Sequence, residues 1–385
     1  MKRICITVSS PMTICAFLAN HIRLLGQFFD VSVIANFDRN IPLKGVTGAR
    51  HLCDVTIERK IDIIRDIKAL IALFRHFSHY RYDIVHSVTP KAGLLAMAAA
   101  RLAGVPVRIH TFTGQVWVTQ TGFKRMLLKS MDRLLAGMAT HILVDSASQR
   151  TFLINEGVVP PLKSTVLAKG SISGVDTVRF SPDSDVRSDV RSELGVVEGD
   201  VVFLFLGRLN RDKGVLDLAA AFASIAGQRS DTWLLLVGPD EEGMRHKIER
   251  ECSRFLDRVR FIPYTSTPEK FMVAADVFCL PSYREGFGTV VIESASSGIP
   301  AIGSNIYGIS DAIEDGRSGL LFEVGNIVML SDKMFELICD KEVRIRMGKY
   351  ARERAISHFQ SDMLSIELMQ YYKSVLYSAG RKADG

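Results

Sequence analysis

The stretch VFCLPSYREGFGTVVIESASSGIPAIGS, residues 277–304, reads as strand, turn, helix and strand in a single pass. An apolar run, 277–282, closes on Pro281-Ser282. A glycine turn, Glu285-Gly286-Phe287-Gly288, follows it, then a helical stretch from Thr289 to Ser297 and a second apolar run, 299–304. Short apolar runs joined through helices are the signature of parallel sheets buried on both faces. The turn itself points to a ligand. Glycines let the backbone approach closely, and the free N–H groups of a helix's first turn favour an anion.

The same rhythm extends outward in both directions. In the first half, 3–8, 31–35, 83–88, 107–112 and 141–146 are β-rich runs. Between them lie helical patterns: residues 61–80, with Ile64, Ile67, Ile71 and Phe74 at three- and four-residue steps, and 91–104, which stops at Gly104 with Pro106 just beyond. Residues 170–185, GSISGVDTVRFSPDSD, break the rhythm and read as an interdomain linker. It then restarts with 201–207, 233–238, 259–264, 277–282 and 299–304. The expected architecture is α/β: two Rossmann-like domains facing each other across a cleft, 1–180 and 181–359. A final amphipathic helix, about 360–380, is expected to pack back on the first domain.

Composition narrows the classes. A chain of 385 residues that is 47% hydrophobic can bury two sizeable cores. Its six cysteines (5, 15, 53, 252, 279 and 339) are scattered, without metal-ligand spacing, as buried thiols in a reducing compartment would be. MKRICITV runs straight into a strand pattern rather than a signal peptide, and no uncharged apolar run reaches the roughly 18 residues of a membrane span. A cytoplasmic protein is the default expectation. The net charge of +6 is uneven. Residues 1–180 carry 23 Lys and Arg against 11 Asp and Glu, a net +12, and the remainder carries −6. A basic half suits nucleic acid, an anionic membrane or phosphorylated substrates. No aromatic-basic interleaving or recognised module supports nucleic acid.

Three features carry candidate chemistry. FLGRLNRDKG, 205–214, sets Gly207, Arg208 and Lys213 between a strand and a helix start. That is either a phosphate site or a polar turn with solvated cations. It is not a GxxxxGK[ST] loop, and no GxGxxG follows the first strand, which weighs against a nicotinamide or flavin enzyme. Gly238 ends another strand, in LLLVGPD. Glu293 shares a helix face with Thr289. Its apolar flanks, Val290, Val291, Ile292 and Ala295, suggest a partly buried carboxylate in need of hydrogen-bond donors rather than a solvated one.

Taken together, Glu285 and Glu293 eight apart after a Pro-Ser strand end, SGIPAIGS, IEDGRSGLLFEVGN (313–326), GRLNRDKG and SGVDTVRF resemble the signature of retaining glycosyltransferases of family four. The resemblance implies a GT-B fold and a nucleotide-sugar donor, without cofactor or metal. Arg208 and Lys213 would clamp the diphosphate. Glu285 would hold the donor sugar, with backbone contacts from Gly286, Phe287 and Gly288. Thr289 would reach a phosphate oxygen and Glu293 the ribose, with Gly207, Gly238 and Tyr264 lining the donor site. His110, read from the residues alone, is better explained as a satisfied core histidine. The resemblance places it near the donor sugar and β-phosphate, among the catalytic residues with Arg208, Lys213 and Glu285. The family's Gly-Gly loop after the first strand is here SSPMT, so Ser9 and Ser10, with Thr113 and Gly114, stand as the acceptor-side candidates.

The first half is most similar to bacterial enzymes that build O-antigen, capsule or lipid-linked oligosaccharides. The implied partners are a UDP- or GDP-sugar, a lipid-linked glycan and an anionic membrane, with the protein peripheral on the inner face of the cytoplasmic membrane. Two segments would dock: 61–81, with Arg65, Lys68, Arg75 and Arg81, and 123–135, with Lys124, Arg125, Lys129 and Arg133 around Met126, Leu127 and Leu128. The plainer reading packs the stripe on the sheet. A nucleotide-sugar epimerase, or a non-catalytic nucleotide-sugar binder, would share much of the pattern.

Overall fold

The computed structural model describes residues 1–37, 46–58 and 62–383; Ile61, at the head of the first basic segment, lies outside them. The chain divides into two compact units: Met1–Gly174 with the stretch from Ser361 onward, and Val175–Gln360. The boundary therefore falls at 174/175 rather than at 180. Residues 175–185 are not a slack linker. Val175 and Phe180 are buried in the second unit's core, and the Asp176 carboxylate accepts from the backbone N–H groups of Val178 and Arg179.

The first unit is built on strands β1 (Arg3–Thr7), β2 (Asp30–Ala35), β3 (His51–Asp54), β4 (Ile84–Val88), β5 (Val107–Phe112), β6 (His141–Val144) and β7 (Ser164–Thr165). They form one parallel sheet in the order β3-β2-β1-β4-β5-β6-β7. Helices lie on both faces, over two separate apolar clusters. The second unit uses β8 (Val201–Leu206), β9 (Thr232–Val237), β10 (Val259–Ile262), β11 (Val277–Leu280), β12 (Ala301–Ser304) and β13 (Gly319–Phe322), in the parallel order β10-β9-β8-β11-β12-β13. Strand order reverses between β1 and β4 and again between β8 and β11. Loops leaving the carboxyl ends of such neighbours diverge and open a crevice for ligands. Both sets of candidate residues lie at these ends.

The helix Ile63–Tyr80 forms as its periodicity predicts, started by Asp62, whose carboxylate accepts from the Arg65 N–H. The face it buries is a different one. Ala69, Leu73 and Phe77 pack into the core, while Ile64, Ile67, Ile71 and Phe74 stay exposed. The buried stripe recurs at four-residue steps and the exposed one at steps of three and four, both helical spacings, and it is the packing on the neighbouring helix Pro90–Leu102 that decides between them.

The last helix, Ser361–Ala383, belongs to the first unit. The Tyr372 hydroxyl meets His86 Nδ1 at 2.5 Å, and His86 Nε2 meets the Thr111 hydroxyl at 2.7 Å. His21 bridges Ser365 Oγ (2.8 Å) and the Ile172 carbonyl (2.6 Å). Burial pulls the His86 pKa down to about 3, so the ring is neutral and both its nitrogens depend on these partners. Tyr372→Phe is expected to lower stability by about 1–3 kcal/mol, the usual cost of stranding a buried polar atom, read as a fall in the urea midpoint at unchanged m-value. An unchanged midpoint would show that this bond does not hold the helix.

Candidate functional site

The loop after β8 is held from two sides. Gly207 N–H donates to the Val237 carbonyl at 2.9 Å, and Leu209 N–H to the Pro239 carbonyl at 2.8 Å. Gly238, at φ +138°, lies so close that a Cβ there would sit 2.0 Å from the Gly207 oxygen; only glycine fits. Asn210 accepts from the Lys213 N–H at 3.2 Å and shapes one tight turn. Gly214 closes it at φ +65°, where a Cβ would strike the Pro281 oxygen at 2.0 Å. The loop is thus wedged between the ends of β9 and β11.

This wedge brings the candidate charges together. The Lys213 ammonium pairs with the Glu285 carboxylate, both partly buried, and the Ser282 hydroxyl donates to the same carboxylate oxygen at 3.0 Å. Arg284 reaches Asp212 at 2.7 Å and fixes the turn from behind. Arg208 pairs with Glu241 at 3.0 Å and keeps about half its side chain in solvent. Phe287 is buried against Phe359, with ring centroids 5.3 Å apart, so only its backbone is available to a ligand. The helix Thr289–Ser296 starts directly behind Gly288.

Glu293 sits one turn further along that helix. Burial pushes its carboxyl up to about 7, while Arg179 pulls it down and Glu269 pushes it up slightly. Arg179 is itself paired with Glu269 at 2.8 Å, which leaves Glu293 without a dedicated cation. Tyr264 stands exposed in the loop after β10. The sheet order sets the ends of β10, β9, β8 and β11 side by side, so Tyr264, Gly238, the 207–214 loop and Glu285 share one edge.

In the first unit, His110 is buried near the end of β5 with Nδ1 on the Ser87 hydroxyl at 2.8 Å. Burial, reinforced by His86, lowers its pKa to about 3. Gly93 makes the room, since a Cβ there would meet the imidazole at 2.4 Å. Ser9 Oγ lies 3.2 Å from Thr89 Oγ1, and Ser10 caps the helix that begins at Pro11. The Thr113 carbonyl is held by Gln115 and Gln149, with Gly114 next to it. Thr89 is a non-glycine residue at φ +78°, ahead of Pro90 on the same edge. No group of three or more His, Cys, Asp or Glu among the described residues is placed to hold a metal.

The family model for group 1 glycosyl transferases matches residues 186–354, and that for the glycosyl transferase 4-like domain matches 19–170. The capsular polysaccharide biosynthesis glycosyltransferase CapM of Staphylococcus aureus is 30% identical over 325 residues, 84% of each chain. The chain belongs to the group 1 glycosyl transferases. This transferase is also 29% identical, over 79% of its length and 78% of the relative's, to the UDP-Gal:alpha-D-GlcNAc-diphosphoundecaprenol alpha-1,3-galactosyltransferase of Escherichia coli. Its fold superposes on Anabaena HepE in complex with UDP-glucose with a TM-score of 0.81 at 18% identity, covering 97% of this chain and 100% of the other. Sucrose-phosphate synthase of Thermosynechococcus elongatus gives 0.81 at 20% identity, covering 98% and 100%. Two parallel-sheet α/β units of this kind are the GT-B fold.

Sequence reasoning missed several groups of the transferase's site. Glu241, the partner of Arg208, lies 33 residues away from it, and Asp212, the partner of Arg284, lies 72 away. Asn210 carried a legible signal, as a capping residue three before Lys213.

Proposed function

We propose that this transferase is a retaining enzyme. It moves a hexosyl or N-acetylhexosaminyl group from a UDP-sugar to a lipid-linked or surface-polysaccharide acceptor, working in the cytoplasm as a peripheral protein of the membrane's inner face. The observation that carries the reading is the meeting of Lys213 and Glu285, 72 residues apart, where the turns after β8 and β11 come together at the carboxyl edge of the second sheet. A cation and a carboxylate side by side match the two halves of a sugar diphosphate, one anionic and one rich in hydroxyl donors. The donor and acceptor in the name of the E. coli galactosyltransferase, and CapM's part in capsular polysaccharide biosynthesis, support the same chemistry.

In this reading Lys213 and Arg208 stabilise the charge that grows on the diphosphate as the bond from the sugar's anomeric carbon to phosphate oxygen breaks. The acceptor oxygen bonds to the anomeric carbon on the same face, and its proton passes to the leaving phosphate oxygen. Glu285 holds the sugar hydroxyls and Glu293 the ribose, with Gly207, Gly238, Tyr264, Gly286, Phe287, Gly288 and Thr289 around the donor. His110 is neutral at pH 7. In the tautomer whose Nδ1 accepts from the Ser87 hydroxyl, it offers the Nε2 proton as a hydrogen bond, not as general acid. Ser9, Ser10, Thr113 and Gly114 serve the acceptor side. No cofactor or metal takes part.

The test supplies a panel of nucleotide-sugars with a water-soluble polyprenyl-diphosphate-sugar analogue and reads the product's anomeric configuration by NMR. Retention is expected; inversion, or turnover that needs no acceptor, overturns the reading. Glu285→Gln should impair transfer strongly yet bind UDP almost as wild type does, since UDP lacks the sugar. Calorimetry showing equal loss for UDP would misplace Glu285.

A further inference from the structure

We propose that the outer faces of the helices Ile63–Tyr80 and Gly122–Met138 form one surface that inserts shallowly into an anionic phospholipid bilayer. Both helices flank and pack on Pro90–Leu102, and both bury their opposite faces in the same core. The first helix leaves Ile63 and Ile64 about 70% exposed (72% and 69%) and Ile67 at 52%, with Ile71 and Phe74 continuing the stripe. The second exposes Phe123 (72%), Met126 (59%), Leu127 and Leu134 (59%). An apolar surface of this extent on one side of a soluble domain marks an interaction site.

Charge selects the occupant. Lys68, Arg75 and Lys124 are exposed and make no ion pair with a described acid. The acids of the two helices are already engaged: Asp62 with Arg65, Asp66 with Lys91, and Asp132, buried, with the Trp117 indole N–H. The surface therefore offers cations and apolar side chains but no unpaired carboxylate. An apolar stripe with flanking cations lies about 5–10 Å into the headgroup boundary of an anionic leaflet.

The structure also redraws the docking set. Lys129 and Arg125 pair with Glu156, both over the Trp117 ring, and Arg133 donates to the Glu156 and Gly157 carbonyls. These three hold the helix to its neighbour; the apolar side chains do the docking.

This surface deepens the membrane part of the proposed function, yet it can be tested without any substrate. The full chain is floated with vesicles of phosphatidylglycerol and phosphatidylcholine, or of phosphatidylcholine alone, at low and high salt. Binding to the anionic vesicles is expected, partly resistant to salt because the apolar contact remains. Ile67→Gln/Ile71→Gln and Phe123→Gln/Met126→Gln, all at exposed positions, should each weaken partitioning by about tenfold or more. Lys68→Glu/Arg75→Glu/Lys124→Glu should abolish the preference for anionic lipid, and Val328→Gln, an exposed apolar site of the second unit, should change nothing. Equal binding by the Gln variants overturns the proposal. So does sedimentation of the wild type as a dimer that those variants split, which would assign the face to a second copy of the chain. Retained transfer to the soluble acceptor alongside lost vesicle binding separates a docking defect from a failed enzymatic reading.

Discussion

Lys213→Ala is expected to lower kcat/KM by on the order of 10²–10³ while the fold survives, since a charge-assisted contact to a desolvated diphosphate contributes about 2–4 kcal/mol to the transition state. The turn that carries Lys213 is fixed by backbone groups, through Asn210, Gly214 and Tyr283 N–H on the Asp212 carbonyl, so its shape does not depend on the ammonium. The variant strands Glu285 with only the Ser282 hydroxyl, so Lys213→Gln, which keeps a donor there, should match its loss of activity with a smaller loss of stability. Arg208→Ala should also lose most of kcat/KM. Near-wild-type turnover in any of these proteins would remove the phosphate assignment.

Glu293→Gln should stabilise the free protein while weakening it as an enzyme. A carboxyl whose pKa rises from 4.5 to about 7 on folding binds a proton in the native state that the unfolded chain has released between those pH values. Stability therefore falls as pH rises through that window, and the full cost, on the order of 3 kcal/mol, is present above pH 7. At pH 8 the variant should melt several degrees higher, about 6–12 °C for a unit of this size, and at pH 4.5 the two proteins should melt together. Calorimetry should show weaker UDP and weaker UDP-sugar, because both share the ribose. Equal melting temperatures at pH 8 would show that the carboxylate is solvated or paired in the free protein.

Strands inside long apolar runs were legible, and short, exposed or glycine-bounded ones were not. β3 is HLCD with mostly exposed side chains at a sheet edge, β7 is two residues, and β13 hides inside the glycine-bounded GRSGLLFEVGN. Periodicity found the helix Ile63–Tyr80 but could not choose between its two apolar faces, because that choice rests on Pro90–Leu102 in three dimensions. For the site, residue types at strand ends marked Gly207, Arg208, Lys213, Glu285 and Glu293. The ion pairs around them were invisible, since Glu241, the partner of Arg208, and Asp212, the partner of Arg284, are ordinary surface acids until the sheet brings them near. The seven basic residues of the two docking segments that fall on described helices looked alike in sequence. Only the fold separates the cations tied to Glu156 from Lys68, Arg75 and Lys124.

The last helix carries a consequence for how the molecule is made. The first unit's sheet is written in the first 174 residues, but the tyrosine that satisfies His86 comes 286 residues later, and the serine that satisfies His21 comes 344 later. The second unit, Val175–Gln360, is continuous and can mature on the ribosome as soon as it emerges. The unit synthesised first must instead wait, with two core histidines each short of one hydrogen-bond partner and an apolar groove open, until nearly the whole chain has been translated. Vectorial synthesis thus inverts the order of completion, and the nascent amino-terminal unit is the species that most needs chaperone cover.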